Sequence, residues 1–396
     1  MKGRAGGLMR AWRRGGTTAI LVIAAAGVLR AGGPTAPGPR QEGAVRGASL
    51  TSAEECARCH VDIHRYWKAS MHAQAAENSR FQAQLEELRS KGNAEPICVR
   101  CHAPAAVYLR DVRWEKKATW EGVTCDFCHS VRGLRADPAR PFVLDVGNVK
   151  TGPLMGATPV SHGAQYAEVY TSSDLCAPCH QYVNERGFEV LTTFAEWKAS
   201  PYPARNMSCQ SCHMRAASGR VVDPKVQRVA ATTVNLHEMP GGHSVAELNR
   251  ALQAQISAVR RGGTLDVTVT FVNRGAGHRL PTGSPLRSIV LVVDADGAVG
   301  RRQTATRTYA RVVVDEHGKE LTDEVTMWLK GGRVVKDTRL APGERRVEQF
   351  SFPMPRGTPA HAVAKFYYRY MPDAAPRGET GQPFLSIGAW VDAGGR

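Results

Sequence analysis

Two kinds of patterning divide the chain. Between residues 51 and 245 the apolar positions fall in short, broken runs. One stretch there keeps helical spacing: within Gln74 to Lys91, Phe81, Leu85 and Leu88 recur on one face of a predicted helix. From Gly263 the period becomes two. Leu265-Asp-Val-Thr-Val-Thr-Phe-Val272 alternates, and Ser288-Ile-Val-Leu-Val-Val-Asp294 is the unbroken apolar run of a buried strand. Further strands are predicted over Arg311–Val314, Arg345–Phe352, Ala362–Tyr370 and Phe384–Val391, with turn signals at Asp296-Gly297, His317-Gly318 and Gly331-Gly332. About seven short strands in roughly 130 residues predict an all-β immunoglobulin-like sandwich over 263–396. Residues 246–262 read as a connector, with a short helix at its start.

At the N-terminus, Arg13 and Arg14 precede an apolar run from Thr17 to Leu29, followed by Arg30, Gly32, Gly33 and Pro34. A run of about 13 residues fits the apolar region of an export signal and falls short of the ~20 needed to span a bilayer. Residues 1–32 are therefore read as a signal peptide or an N-terminal anchor, and the Gly/Pro/Ala-rich residues 33–50 as a linker. The expected location is the periplasm or the cell surface and exterior. An uncleaved segment would associate the chain with a membrane through its N-terminus. The formal charge of +16 changes meaning with this reading. Lys2, Arg4, Arg10, Arg13, Arg14 and Arg30 all lie in the first 32 residues, where no acid occurs. The remainder carries about +10, which cofactor carboxylates would reduce further. A nucleic-acid partner does not follow from it.

The ten cysteines supply the chemistry. They occur as Cys56-Ala-Arg-Cys59-His60, Cys98-Val-Arg-Cys101-His102, Cys125-Asp-Phe-Cys128-His129, Cys176-Ala-Pro-Cys179-His180 and Cys209-Gln-Ser-Cys212-His213, here motifs 1 to 5. Every cysteine belongs to a C-x-x-C pair, and His follows every pair. Zinc sites, dithiol redox centres and disulfides need no His at that position. With 13 His in 396 residues, five successive coincidences are not credible. The pattern is that of covalent haem attachment: two thiols bond to the haem, and the adjacent imidazole becomes an axial ligand of the iron. Five covalently attached c-type haems are expected. At roughly 38 residues per haem, residues 51–245 are predicted to form an α-rich, loop-rich multihaem domain wrapped around its cofactors.

Each iron has a second axial position. If the segment after His60 is helical, His72 lies 12 residues or about 18 Å beyond it, so it should serve a neighbouring haem. His64, one helical turn from His60, reads as a surface or supporting residue. Tyr66-Trp67-Lys68-Ala69-Ser70-Met71-His72 recurs in part as Glu196-Trp197-Lys198-Ala199-Ser200-Pro201-Tyr202, with Tyr in place of the His. This hints at a duplicated haem-binding unit. His278 stands in the Gly-rich Asn273-Arg-Gly-Ala-Gly277-His278 loop, and the expectation is that the β domain presents it to the last haem.

Cys56–His72, motif 3, Ser161-His162, Trp197 to Met214, His237-Glu-Met-Pro-Gly-Gly-His243-Ser244 and Gly275-Ala-Gly-His278-Arg-Leu-Pro-Thr-Gly283 together carry a resemblance. They resemble the multihaem cytochrome superfamily containing the nitrification tetrahaem cytochrome and hydroxylamine oxidoreductase, over about residues 50–290. The resemblance implies distal-ligand roles for His72, His162 and the Pro-Gly-Gly-His segment. His72, His162, His237, His243 and His278 then make five candidates for five distal positions.

The leading expectation is an electron carrier whose partners are other redox proteins and which requires no small-molecule substrate and no catalytic residue. One alternative is an oxidoreductase acting on a small nitrogen or sulfur compound at an open iron, with the motif 3 haem as the first candidate. Against it, no C-x-x-C-Lys variant is present. Another alternative is a structural subunit of a haem-bearing filament or electron-transfer complex.

Overall fold

The computed structural model describes residues 49–90, 95–297, 302–357, 359–371 and 383–392. The expected export segment and the linker up to residue 48 lie outside the described residues. Among the described residues no helix is long and apolar enough to cross a membrane.

The N-terminal part is built from short helices and loops. Helix Ser79–Ser90 buries Phe81, Leu85 and Leu88, the face expected from their spacing. Asn78 starts it, its side-chain oxygen accepting from the Arg80 and Phe81 amides at 3.1 Å. The helix after motif 1 covers only Val61–Lys68, so His72 lies in the turn beyond it. Several motifs form a single helical turn, such as Cys125–Cys128 and Cys209–His213, the latter started by a Ser208–Ser211 capping box. Small side-chain clusters sit around these elements, one joining Tyr108, Phe127, Val131 and Phe142, another Phe81, Leu85 and Trp114.

The C-terminal part is two antiparallel sheets sharing one core. Its main strands are β1 (Leu252–Arg261), β2 (Thr264–Asn273), β3 (Ser288–Gly297), β4 (Gln303–Tyr309), β5 (Arg345–Pro353), β6 (Ala360–Arg369) and β7 (Leu385–Val391). One sheet has the order β5-β2-β1 and the other β4-β3-β6-β7. Period-two burial along β2 puts Leu265, Val267, Val269 and Phe271 inward. From the other sheet come Ile289, Leu291, Val293 and Phe366, and Phe271 meets Phe366 edge-on at 5.3 Å.

Most expected strands are present within a residue or two, but the 246–262 segment differs from a connector. It is helix Val245–Ala251 followed directly by the ten-residue strand β1, which pairs with β2 along its whole length. The turn between them needs a positive φ at Gly262. A second hairpin, Arg311–Val314 with Arg333–Asp337, carries helix Glu324–Lys330 between its strands. This excursion packs Val313, Leu321 and Met327 against Tyr182, Phe188 and Val190 of the motif-bearing part. Asn184 Nδ2 donates to Gly331 O at 2.9 Å across the same junction.

Candidate haem-binding sites

All ten motif cysteines and all five motif histidines line one cavity of about 2560 Å³. A pocket for one small ligand holds ~300–1,000 Å³, so this space suits several large groups. The thiols also give the motifs a spatial order. The Cys56 side chain adjoins that of Cys125, Cys101 that of Cys179, and Cys176 that of Cys209. Cys128 lies close enough to Cys176 to act on it electrostatically. Motif 1 therefore adjoins motif 3, motif 3 adjoins motif 4, and motifs 2 and 5 both adjoin motif 4.

Four motif histidines face a second imidazole. The ring centres of His60 and His162 are 6.1 Å apart, those of His72 and His180 6.2 Å, and those of His129 and His237 and of His213 and His278 each 6.3 Å. Two metal–imidazole bonds of about 2 Å, with about 1 Å from each nitrogen to its ring centre, span about 6 Å. The four gaps fit one iron each.

The imidazoles are also prepared as ligands. Nδ1 of His60 lies 2.5 Å from Val221 O, that of His129 2.7 Å from Thr151 O, and that of His213 2.7 Å from Pro240 O. His102 uses Ala75 O at 3.0 Å. The facing rings use Gly163 O, Asn235 O and Arg279 O, for His162, His237 and His278. A proton held at Nδ1 leaves the Nε2 lone pair for a metal. Burial first, then neighbouring imidazoles, pushes His72 down to about 3 and His180 to about 4, which keeps both rings neutral.

The partial repeat has a structural meaning. Both copies close their helix with the Ser amide bonded to the Trp carbonyl, Ser70 to Trp67 and Ser200 to Trp197, at 2.8 and 3.0 Å. In the first copy His72 then faces His180. In the second, the Tyr202 hydroxyl donates to Arg274 O at 3.1 Å and its ring lies against Gly277, where a Cβ would sit 3.1 Å away. The residue that replaces the missing His thus supports the loop after β2 that carries His278. Asn273 pins the same loop, its Nδ2 donating to His278 O at 2.9 Å.

Glu196 ties this loop to the motif-bearing part. Its carboxylate accepts from Arg339 Nη1 at 2.8 Å, Thr192 Oγ1 at 2.7 Å, Thr282 Oγ1 at 2.8 Å and the Arg279 amide at 3.1 Å. Sequence reasoning gave Glu196 no role beyond the repeat. Its partners lie as far as 143 residues away, and no local signal marks them.

Two histidines depart from the expected pattern. His243 faces no motif histidine among the described residues; it is an exposed side chain near Arg287, while Gly242 lets the Tyr368 ring close on the backbone. His102 is the motif histidine without a facing imidazole among the described residues; its ring stacks on Phe81 at 4.2 Å. The expected candidate for an open position, motif 3, has His237 opposite its His129. His64, expected as a surface or supporting residue, lines the cavity with a buried Nε2 that has no hydrogen-bond partner among the described residues.

Comparison with known proteins agrees with the motifs. A family model described as cytochrome c554 and c-prime matches residues 55–130, which span motifs 1 to 3. The chain is similar in fold to a penta-heme cytochrome c552 from Thermochromatium tepidum, at 22% identity and a TM-score of 0.68, over 86% of this chain and 99% of that one. CsgH of R. palustris matches at 11% identity over 36% of this chain and 92% of that chain, but at a TM-score of 0.17, too low to carry an argument. No curated protein matches. With the five attachment motifs, these findings support a multihaem c-type cytochrome with covalently bound haems.

Proposed function

We propose that this protein is an exported pentahaem electron-transfer cytochrome, working in the periplasm or at the cell exterior between protein redox partners. Bound haem supplies one-electron chemistry at its iron. The observation that carries the reading is the set of four imidazole pairs with centres 6.1–6.3 Å apart, which would close four irons with two histidines each. The adjacency of the motifs favours a through-path from motif 1 by motifs 3 and 4 to motif 5. In this reading the β domain is an immunoglobulin-like sandwich that presents His278 and completes the motif 5 site. The test is to count haems by pyridine haemochrome and then titrate reversibly with a low-potential donor. Five haems per chain that all take up an electron without added substrate support the proposal. Fewer haems, or reduction only in the presence of a substrate, would refute it.

A second reading concerns motif 2 alone. His102 has no facing imidazole among the described residues, so an iron held there would keep a position for a small ligand. Motif 2 adjoins motif 4 through Cys101 and Cys179 and lies off the through-path, so a reaction there need not interrupt conduction.

A further inference from the structure

The cavity wall near motif 2 contains a cation that makes no ion pair among the described residues. Arg287 immediately precedes β3, lines the cavity and is partly buried. Its guanidinium lies 4.8 Å from the centre of the Tyr370 ring, and Tyr368 is close enough to act on it electrostatically. Among the described residues no carboxylate comes within the 4.0 Å of an ion pair. Arg339, at the same junction, is closed by Glu196 and Asp337, both at 2.8 Å. A guanidinium has five N–H donors, and contact with an aromatic face leaves them available to a ligand. Glu324 acts on this charge only from beyond ion-pair distance, and a planar anion with two oxygens matches the free guanidinium fork.

The neighbours fit the same occupant. His243 stands close enough to Arg287 for the two to interact electrostatically. Tyr368 packs on the backbone at Gly242, where a Cβ would lie 2.5 Å from its ring, so only a glycine there lets the ring come this close. Glu324 acts electrostatically on Arg287 and also on Cys98 and His102, which puts the cluster beside motif 2.

We propose that Arg287, with Tyr368 and His243 beside it, binds a planar oxyanion in the cavity next to the His102 centre. The inference rests on the second reading above for its location at an open iron. Two sources share this chemistry: a free small oxyanion of the nitrite class, and a carboxylate of the haem held by motif 2.

The test uses the holoprotein and its Arg287→Gln and Gly242→Ala variants. Nitrite is titrated into the oxidised protein and followed by haem absorbance and EPR. Carbon monoxide, which carries no charge, is bound to the reduced protein, and midpoint potentials are measured against pH. For a free oxyanion, nitrite binding weakens roughly tenfold to a hundredfold in Arg287→Gln while carbon monoxide binding is unchanged. For a haem carboxylate, nitrite binding is unaffected, but one midpoint potential and its pH dependence shift. Gly242→Ala gives the same change in smaller measure. Unaltered nitrite binding together with unaltered potentials would overturn the proposal. Failure of carbon monoxide to bind any haem would instead refute the open iron, and the potentials would still decide the role of Arg287.

Discussion

Replacing Glu196 with Ala should loosen the joint that presents His278. The carboxylate gathers four donors, and the pair it makes with Arg339 is buried, with side-chain exposures of 9% and 6%. Removing one member of a buried ion pair costs about 3–5 kcal/mol. Arg339 keeps Asp337 through Nη2 at 2.8 Å and Nε at 2.9 Å, so the lower end applies. About 3 kcal/mol corresponds to roughly a hundredfold increase in the local opening equilibrium. The Arg279 amide and the Thr282 hydroxyl lose their acceptor in the same step. Hydrogen exchange followed by mass spectrometry should therefore show peptides covering residues 276–286 exchanging roughly a hundredfold faster, with the core peptides of β2 and β3 unchanged. Glu196→Gln, which keeps the shape and loses the charge, should fall between. Exchange at the wild-type rate in Glu196→Ala would refute the claim that this carboxylate holds the loop.

Three further outcomes follow from the same geometry. His278→Ala should leave the haem attached through Cys209 and Cys212 but convert one low-spin centre to high spin; a spectrum unchanged at every haem would remove His278 from the site. Gly122 has a φ of +64° and a Cβ there would lie 2.3 Å from His72 O, so Gly122→Ala should displace His72 and perturb the motif 4 centre, read as altered EPR of one low-spin species. Burial would raise the Glu196 carboxyl, but Arg339 and the Thr192 and Thr282 hydroxyls outweigh it and hold it below the ordinary range. Its contribution is therefore complete above the unfolded value of about 4.3 and is lost as pH falls through the lower folded value. Acid should loosen residues 276–286 in the wild type, and Glu196→Gln should lack that step.

How much of this was legible in the sequence depended on the range of the interactions. The attachment motifs are local, because two thiols and an imidazole must reach one haem, and spacing alone identified them. The strands with clear alternation or β-branched runs were legible for the same reason. Strand β1 was not: its inward positions are Leu252, Ala254, Ile256 and Ala258, and the two alanines blunt the period-two signal. The facing histidines are a matter of tertiary placement. His72 and His180 are 108 positions apart in sequence, and nothing local distinguishes His237, which faces His129, from His243, which stands beside Arg287. That His102 faces no second imidazole among the described residues leaves no trace in its own motif, which reads like the other four. The Tyr202 substitution was visible in the repeat, but its consequence, support for the loop after β2, required the fold.

Low-temperature EPR of the oxidised holoprotein, with haem per chain counted on the same sample, tests the central claim most directly. Four low-spin ferric centres and one high-spin centre per chain, the latter responding to added small ligands, is the result expected from four imidazole pairs and an unpaired His102. Five low-spin centres with no ligand response would contradict it, as would more than one high-spin centre.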